Sequence, residues 1–148
     1  MSTISIEKYM ENLKRAITML PSQTEKVVDA NAQIILDLNR EEQLYAKGIN
    51  AKGDRLKEYA FFTIQIKQLL RQPFDRTTLF YSGKFYEGFR YKFDKNTYTL
   101  TIFSVDQKTP LLIAKYGSNI FGLTNANRLY LDEKIIKPNI DKWLQSIL

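Results

Sequence analysis

Two alternating runs near the middle of the chain constrain the fold most. Phe89, Tyr91 and Phe93 alternate with Arg90 and Lys92; beyond Asp94-Lys95-Asn96, Tyr98, Leu100 and Ile102 alternate with Thr97, Thr99 and Thr101. Residues two apart share a face of a strand, so each run has one apolar and one polar face. A three-residue polar link makes the pair a β-hairpin at about 89–103. An isolated hairpin is marginal in water, so helices must cover its aromatic face.

The flanking segments read as those helices. Ile6, Met10, Leu13, Ile17 and Leu20 follow the helix period. Ser5 can cap that helix and Pro21 marks its end. Ser22-Gln23-Thr24-Glu25 is a capping box for a second helix. Its stripe of Val27, Val28, Ile34, Ile35 and Leu38 continues to about Leu44, and Gly48 stops it. At about 22 residues, this helix is twice the mean length. Residues 47–60 carry two glycines and little periodicity, and read as a protruding loop or arm. "FFTIQIKQLL", 61–70, reads as a short helix capped by Thr63 and closed by Pro73. Pro110 opens another short helix that ends at Gly117. Thr124 caps a last helix to Leu148, with Pro138 expected to kink or split it. The expected fold is α+β, a single domain over 1–148. Long N-terminal helices and a C-terminal helix pack on a small antiparallel sheet built around the hairpin.

The chain has no cysteine and no histidine. Thiolate metal sites, Cys nucleophiles, His general bases and the Ser-His-Asp triad are therefore excluded. No catalytic residue, metal site or cofactor is expected, and the chain does not read as an enzyme. The acidic pairs Glu41-Glu42 and Asp132-Glu133 fall on predicted helix surfaces as solvated charge. No run of about 18 apolar residues suggests a membrane span. "MSTISIEKYMENLKRAI" lacks the apolar core of a signal peptide, so synthesis in the cytoplasm is expected.

The net charge of +6 is uneven. Residues 1–50 hold six bases against seven acids, 51–93 nine against four, and 94–148 seven against five. The basic middle third suits an acidic partner or nucleic acid, or is an ordinary solvated face. Gly83-Lys84 is not a phosphate loop, because Thr78 and Phe85 stand where Gly and Ser or Thr are required. Phe85, Tyr86, Phe89, Tyr91, Phe93 and Tyr98, with Arg90 and Lys92, are possible base-stacking groups. Packing between hairpin and helices accounts for the same aromatics.

The order of pieces resembles tailed-phage neck and tail-completion proteins. In "RTTLFYSGKFYEGFRYKF", Leu79, Ser82, Gly83, Phe85, Gly88 and Phe89 match a family element in which a Ser/Thr-Gly turn opens a short helix that feeds a hairpin. Tyr116, Gly117, Phe121, Gly122 and Leu123 match its next block, and the Gly-rich segment after Leu38 is similar to the family's arm. The resemblance covers about 34–131; where the family often has an Arg-rich segment before its last helix, this chain has only Arg128.

The resemblance implies a virion structural protein, a homo-oligomeric ring at the neck that meets portal or adaptor proteins and tail proteins. It is implied to be a head-tail connector, tail-completion protein or tail terminator, made in the host cytoplasm. Ser82, Gly83 and Gly88 would form the joint. Tyr45, Ile49, Leu56, Tyr59 and Phe61 would meet neighbouring subunits. Arg71, Arg76, Lys84, Arg90 and Lys92 would face the lumen and touch passing DNA without sequence preference. The alternative from another class is a sequence-nonspecific nucleic-acid-binding module.

Overall fold

The Ser5 hydroxyl accepts a hydrogen bond from the Lys8 amide at 3.1 Å and so opens helix α1, Ile6–Ala30. The computed structural model describes residues 3–148. α1 does not end at Pro21, and Ser22 is not a cap; both lie inside one 25-residue helix. A proline there removes one backbone bond and crowds the carbonyl a turn earlier, at about 3 kcal/mol. That carbonyl belongs to Ile17, on an exposed part of the helix, while Ala16, Thr24, Val27 and Val28 bury along the same rod. Tertiary packing of these four outweighs the local cost.

The break falls instead at Asn31, whose side-chain amide donates to the Val27 carbonyl at 2.8 Å. Helix α2, Ala32–Asp37, follows and widens into π-helical turns over Leu38–Lys47, which end at Gly48 with φ 63°. Within the widened segment Asn39 and Gln43 are completely buried. Asn39 bonds the Ile120 carbonyl at 2.9 Å and the Gly122 amide at 2.8 Å. Gln43 bonds the Gly122 carbonyl and the Thr124 amide, both at 2.9 Å. This clamp fixes the irregular stretch before the last helices and satisfies its backbone where water is excluded.

Segment 47–60 does not protrude. Leu56 is buried in the core, the Ala51 amide donates to the Asn119 carbonyl at 2.7 Å, and Ile49 bridges Arg55. Farther along, the Thr77 hydroxyl donates to the Lys57 carbonyl at 2.6 Å. The glycines allow a tight reversal that lies back on the body.

Helix α3, Phe61–Leu69, starts after Ala60 and not at Thr63. Helix α4, Lys84–Glu87, precedes strand β1, Phe89–Asp94, which pairs antiparallel with β2, Thr99–Ser104. Phe89 lies opposite Ser104 and Asp94 opposite Thr99. The connection spans 95–98, one residue longer than the sequence suggests, because Tyr98 takes φ 53° and leaves the strand. Phe89 and Ile102 are buried and Arg90, Lys92, Thr99 and Thr101 exposed, as the alternation requires.

Helix α5, Thr109–Tyr116, ends at Gly117, and a 3₁₀ turn at Ser118–Ile120 follows. Thr124 caps α6, Asn125–Leu131, by accepting from the Asn127 amide at 3.2 Å. A π-helical turn, Asp132–Ile136, leads into α7, Lys137–Ile147. Pro138 therefore sits in the first turn of α7, and the wide turn before it absorbs the crowding. Val28, Ile35, Leu44, Phe85, Phe89, Ile102, Ile120 and Leu131 meet in the core. The fold is α+β, with a long N-terminal helix and a C-terminal helix around a two-stranded antiparallel sheet. No helix among the described residues is long and apolar enough to cross a membrane.

Candidate assembly interface

α3 is inverted with respect to solvent. Its one buried residue is Lys67, at 4% exposure. Phe61, Phe62, Ile66, Leu69 and Leu70 face outward, Phe62 at 76% and Leu69 at 84% exposure, and Phe74 extends the patch beyond the helix. Residues 62, 66 and 69 are spaced by four and three, so they form one stripe. An apolar stripe on water is the mark of a surface that is covered by something else. Burying Phe62 and Leu69 alone would contribute about 3–6 kcal/mol before association costs.

Several contacts fix the orientation of α3. The Lys67 ammonium donates to Gln72 Oε1 at 2.9 Å and to the Phe80 carbonyl. The Gln72 amide returns to the Lys67 carbonyl at 2.8 Å and the Arg71 amide to the Gln68 carbonyl at 3.1 Å. This pair of hydrogen bonds ends a helix through a left-handed residue, normally glycine. Here Arg71 takes that place, at φ 56°.

Of the joint residues, Ser82 and Gly83 line a hollow on the Lys67 side of α3, away from the apolar face. Gly83, at φ 88°, opens α4. Gly88 closes it at a crowded point, where a Cβ would sit 2.6 Å from Ser104 Oγ and 3.0 Å from the Asp106 amide nitrogen. Ser82 is exposed between Tyr81 and Gly83.

Of the residues expected at subunit contacts, only Phe61 is on the exposed face. Leu56 is core, and Ile49 is half-buried in its bridge. Tyr45 packs edge-on against Phe80 at 5.7 Å between ring centres. The Tyr59 hydroxyl meets Thr78 Oγ1 at 3.2 Å. Sequence reasoning missed Phe62, Ile66, Leu69 and Leu70. On a helical wheel Phe62 and Leu69 lie opposite Lys67, but a charged side chain is ordinarily placed outward, so the sequence carried no signal for this orientation.

The basic residues are distributed as follows. Arg90 and Lys92 project from one face of β1, and Lys84 is exposed on α4. Arg90 Nη1 donates to the Glu87 and Phe89 carbonyls, and Lys92 lies over the Phe103 ring at 5.4 Å. Arg76 is half-buried and donates to the Tyr45 carbonyl at 2.7 Å. Phe85, Tyr86 and Phe89 are buried, which removes them as base-stacking groups. Burial pushes the Tyr86 phenol well above its ordinary pKa, and it donates to the Thr78 carbonyl. Comparison with protein-family models, curated proteins and solved structures found no match.

Two larger hollows flank the hairpin. One, about 650 Å³, lies between β2 and α6 and is walled by Val28, Phe93, Leu100, Ile102, Leu131 and Ile136. The other, about 850 Å³, lies among α2, α4 and β1. Its Arg40 is already held by Asp37 at 2.8 Å and by the Tyr86 carbonyl at 2.9 Å. Among the described residues, no group of three metal-ligating side chains converges.

Proposed function

We propose that this chain is a structural subunit of a tailed-bacteriophage virion, assembling with copies of itself into a ring at the neck, between portal and tail. The observation that carries this reading is the outward apolar face of α3, which needs a covering surface. The sequence resemblance through Ser82, Gly83, Gly88, Tyr116 and Gly117 supplies the class of assembly. A two-stranded sheet also leaves an unpaired edge on each strand, and such edges add readily to neighbours. The neck role is that of a connector, tail-completion protein or terminator; copies meet one another through α3, and portal or adaptor and tail proteins above and below. Arg71, Lys84, Arg90 and Lys92 are exposed and suit sequence-independent, salt-sensitive contact with DNA in a lumen.

Particle imaging tests the proposal. In purified virions that carry this chain, a stoichiometric ring of it at the head-tail junction is expected. Virions free of the chain, or its presence only as dispersed monomers in infected cells, would sink the reading.

A further inference from the structure

Lys67 presents a second, independent problem. It is almost fully buried, yet it forms no ion pair with any described residue. Its partners are all neutral: Gln72 Oε1 at 2.9 Å, the Phe80 carbonyl, and the face of Tyr59 at 5.3 Å from the ring centre. An ammonium out of water without a counter-charge is strongly disfavoured. Two carbonyl-type acceptors and a ring face offset part of that cost and leave the positive charge whole.

Lys67 also lines a cavity of about 200 Å³ between α3, the approach to α4, and α5. Tyr59, Phe80, Phe85 and Tyr116 are among its walls, and Lys108 brings a second ammonium. Lys108 is exposed and lies over Tyr81, another wall residue, at 5.4 Å. No acidic residue lines the cavity. The hollow thus pairs aromatic walls with two cations and no anion of its own. A cavity of roughly 150 Å³ admits benzene, so this one has room for a single ring or an aliphatic body of similar size.

We propose that this cavity is an anion-binding pocket for a carboxylate carried on a small apolar body. The carboxylate pairs with the Lys67 ammonium at the buried end, where low dielectric strengthens the attraction, and Lys108 adds a weaker pull. The apolar body rests against Tyr59, Phe85 and Tyr116. Such a carboxylate comes either as a free small acid or as an acidic side chain of another polypeptide. The inference does not depend on the neck assignment.

Calorimetric titration of the full chain with benzoate and with its neutral isostere benzamide tests this. Benzoate is expected to bind saturably at one site, at least tenfold tighter than benzamide. Lys67→Gln, which keeps an amide donor and removes the charge, is expected to weaken benzoate at least tenfold, and Lys108→Ala about two- to threefold. N-acetyl-glutamate amide serves as a parallel probe: tighter binding than benzoate identifies a polypeptide source, and weaker binding a free acid. Equal affinity for benzoate and benzamide, no binding of either acid, or full affinity in a folded Lys67→Gln would overturn the proposal. If Lys67→Gln fails to fold, the benzoate–benzamide contrast in the unmodified chain and in Lys108→Ala decides.

Discussion

Gln43 shows how much one polar side chain can organise. With Asn39 it supplies the bonds that the 120–124 backbone lacks, and its Oε1 also accepts from Asn127 Nδ2 at 2.8 Å. Gln43→Leu keeps the bulk and strands the Gly122 carbonyl and the Thr124 amide. Each buried orphan costs about 1–3 kcal/mol, so for the two a loss of about 2–6 kcal/mol is expected in urea unfolding. A loss below ~1 kcal/mol would show that water repairs the site. In the sequence Gln43 follows Glu41-Glu42 and looks like more solvated helix surface; its role emerges only when a loop some 80 residues later arrives. For Gly83 the expectation of a turn comes through the family resemblance, and the backbone has one there. Its φ of 88° is closed to β-branched residues, and Gly83→Val is expected to lower stability by about 1–3 kcal/mol. Lys84→Gln, one position on and exposed, should stay within about 0.5 kcal/mol. The reverse order in thermal melts would mean that Lys84 has a binding role after all.

Among the elements, the hairpin was legible because strict alternation is the period of a strand with one covered face and of no helix. The helix breaks were not legible. Pro21 is a local signal, and the burial of Ala16 and Thr24 on either side of it is a tertiary fact that no local rule contains. α3 was placed correctly as a helix, but its orientation was not seen. Apolar residues are assumed to point inward, and the inward place was taken by Lys67, held by Gln72 and Phe80. The exposed stripe yields a direct test. Phe62→Glu combined with Leu69→Glu adds charge where water already reaches, so melting should move by no more than a few degrees. Self-association in sedimentation or mass photometry should disappear if α3 is the contact. The hairpin itself is tied to α1 by the Tyr91 hydroxyl, which donates to Asp29 at 2.6 Å. That bond, then partial burial, then the nearby carboxylates push the Tyr91 phenol up to about 12. A raised folded pKa means that the folded chain holds its proton longer than the unfolded chain. The stabilisation is therefore complete below pH ~10, the free tyrosine value, and fades between there and about 12. Tyr91→Phe should lower stability at pH 8 and flatten that alkaline decline; an unchanged slope would mean that the bond does not form in solution.

At the scale of the molecule, besides scattered exposed residues such as Val105, Leu111 and Leu129, exposed apolar side chains run along two helices. One is α3. The other is the first half of α1, where Ile6, Tyr9, Met10 and Ile17 are exposed while every buried residue of the helix lies at Ala16 or beyond. α7 lies against α1 and buries none of its own residues fully, so Trp143, Leu144 and Ile147 remain half-covered. Such a body has a finished core and an unfinished exterior, and its charge of +6 opposes random clumping. Shortening the chain to residues 11–148 separates these properties. Residues 3–11 are all exposed, so the core stays intact and the melting temperature should change by less than about 3 °C. Glu7 and Lys8 leave together, so net charge does not change, and an effect on assembly cannot be one of net charge. If α1 contributes to the ring, the shortened chain should need at least tenfold higher concentration to reach the same oligomer by mass photometry. If it assembles as the full chain does while the Phe62, Leu69 double variant does not, adhesion resides in α3 alone. If both assemble normally, neither apolar face holds copies together, and the neck proposal loses the physical feature it rests on.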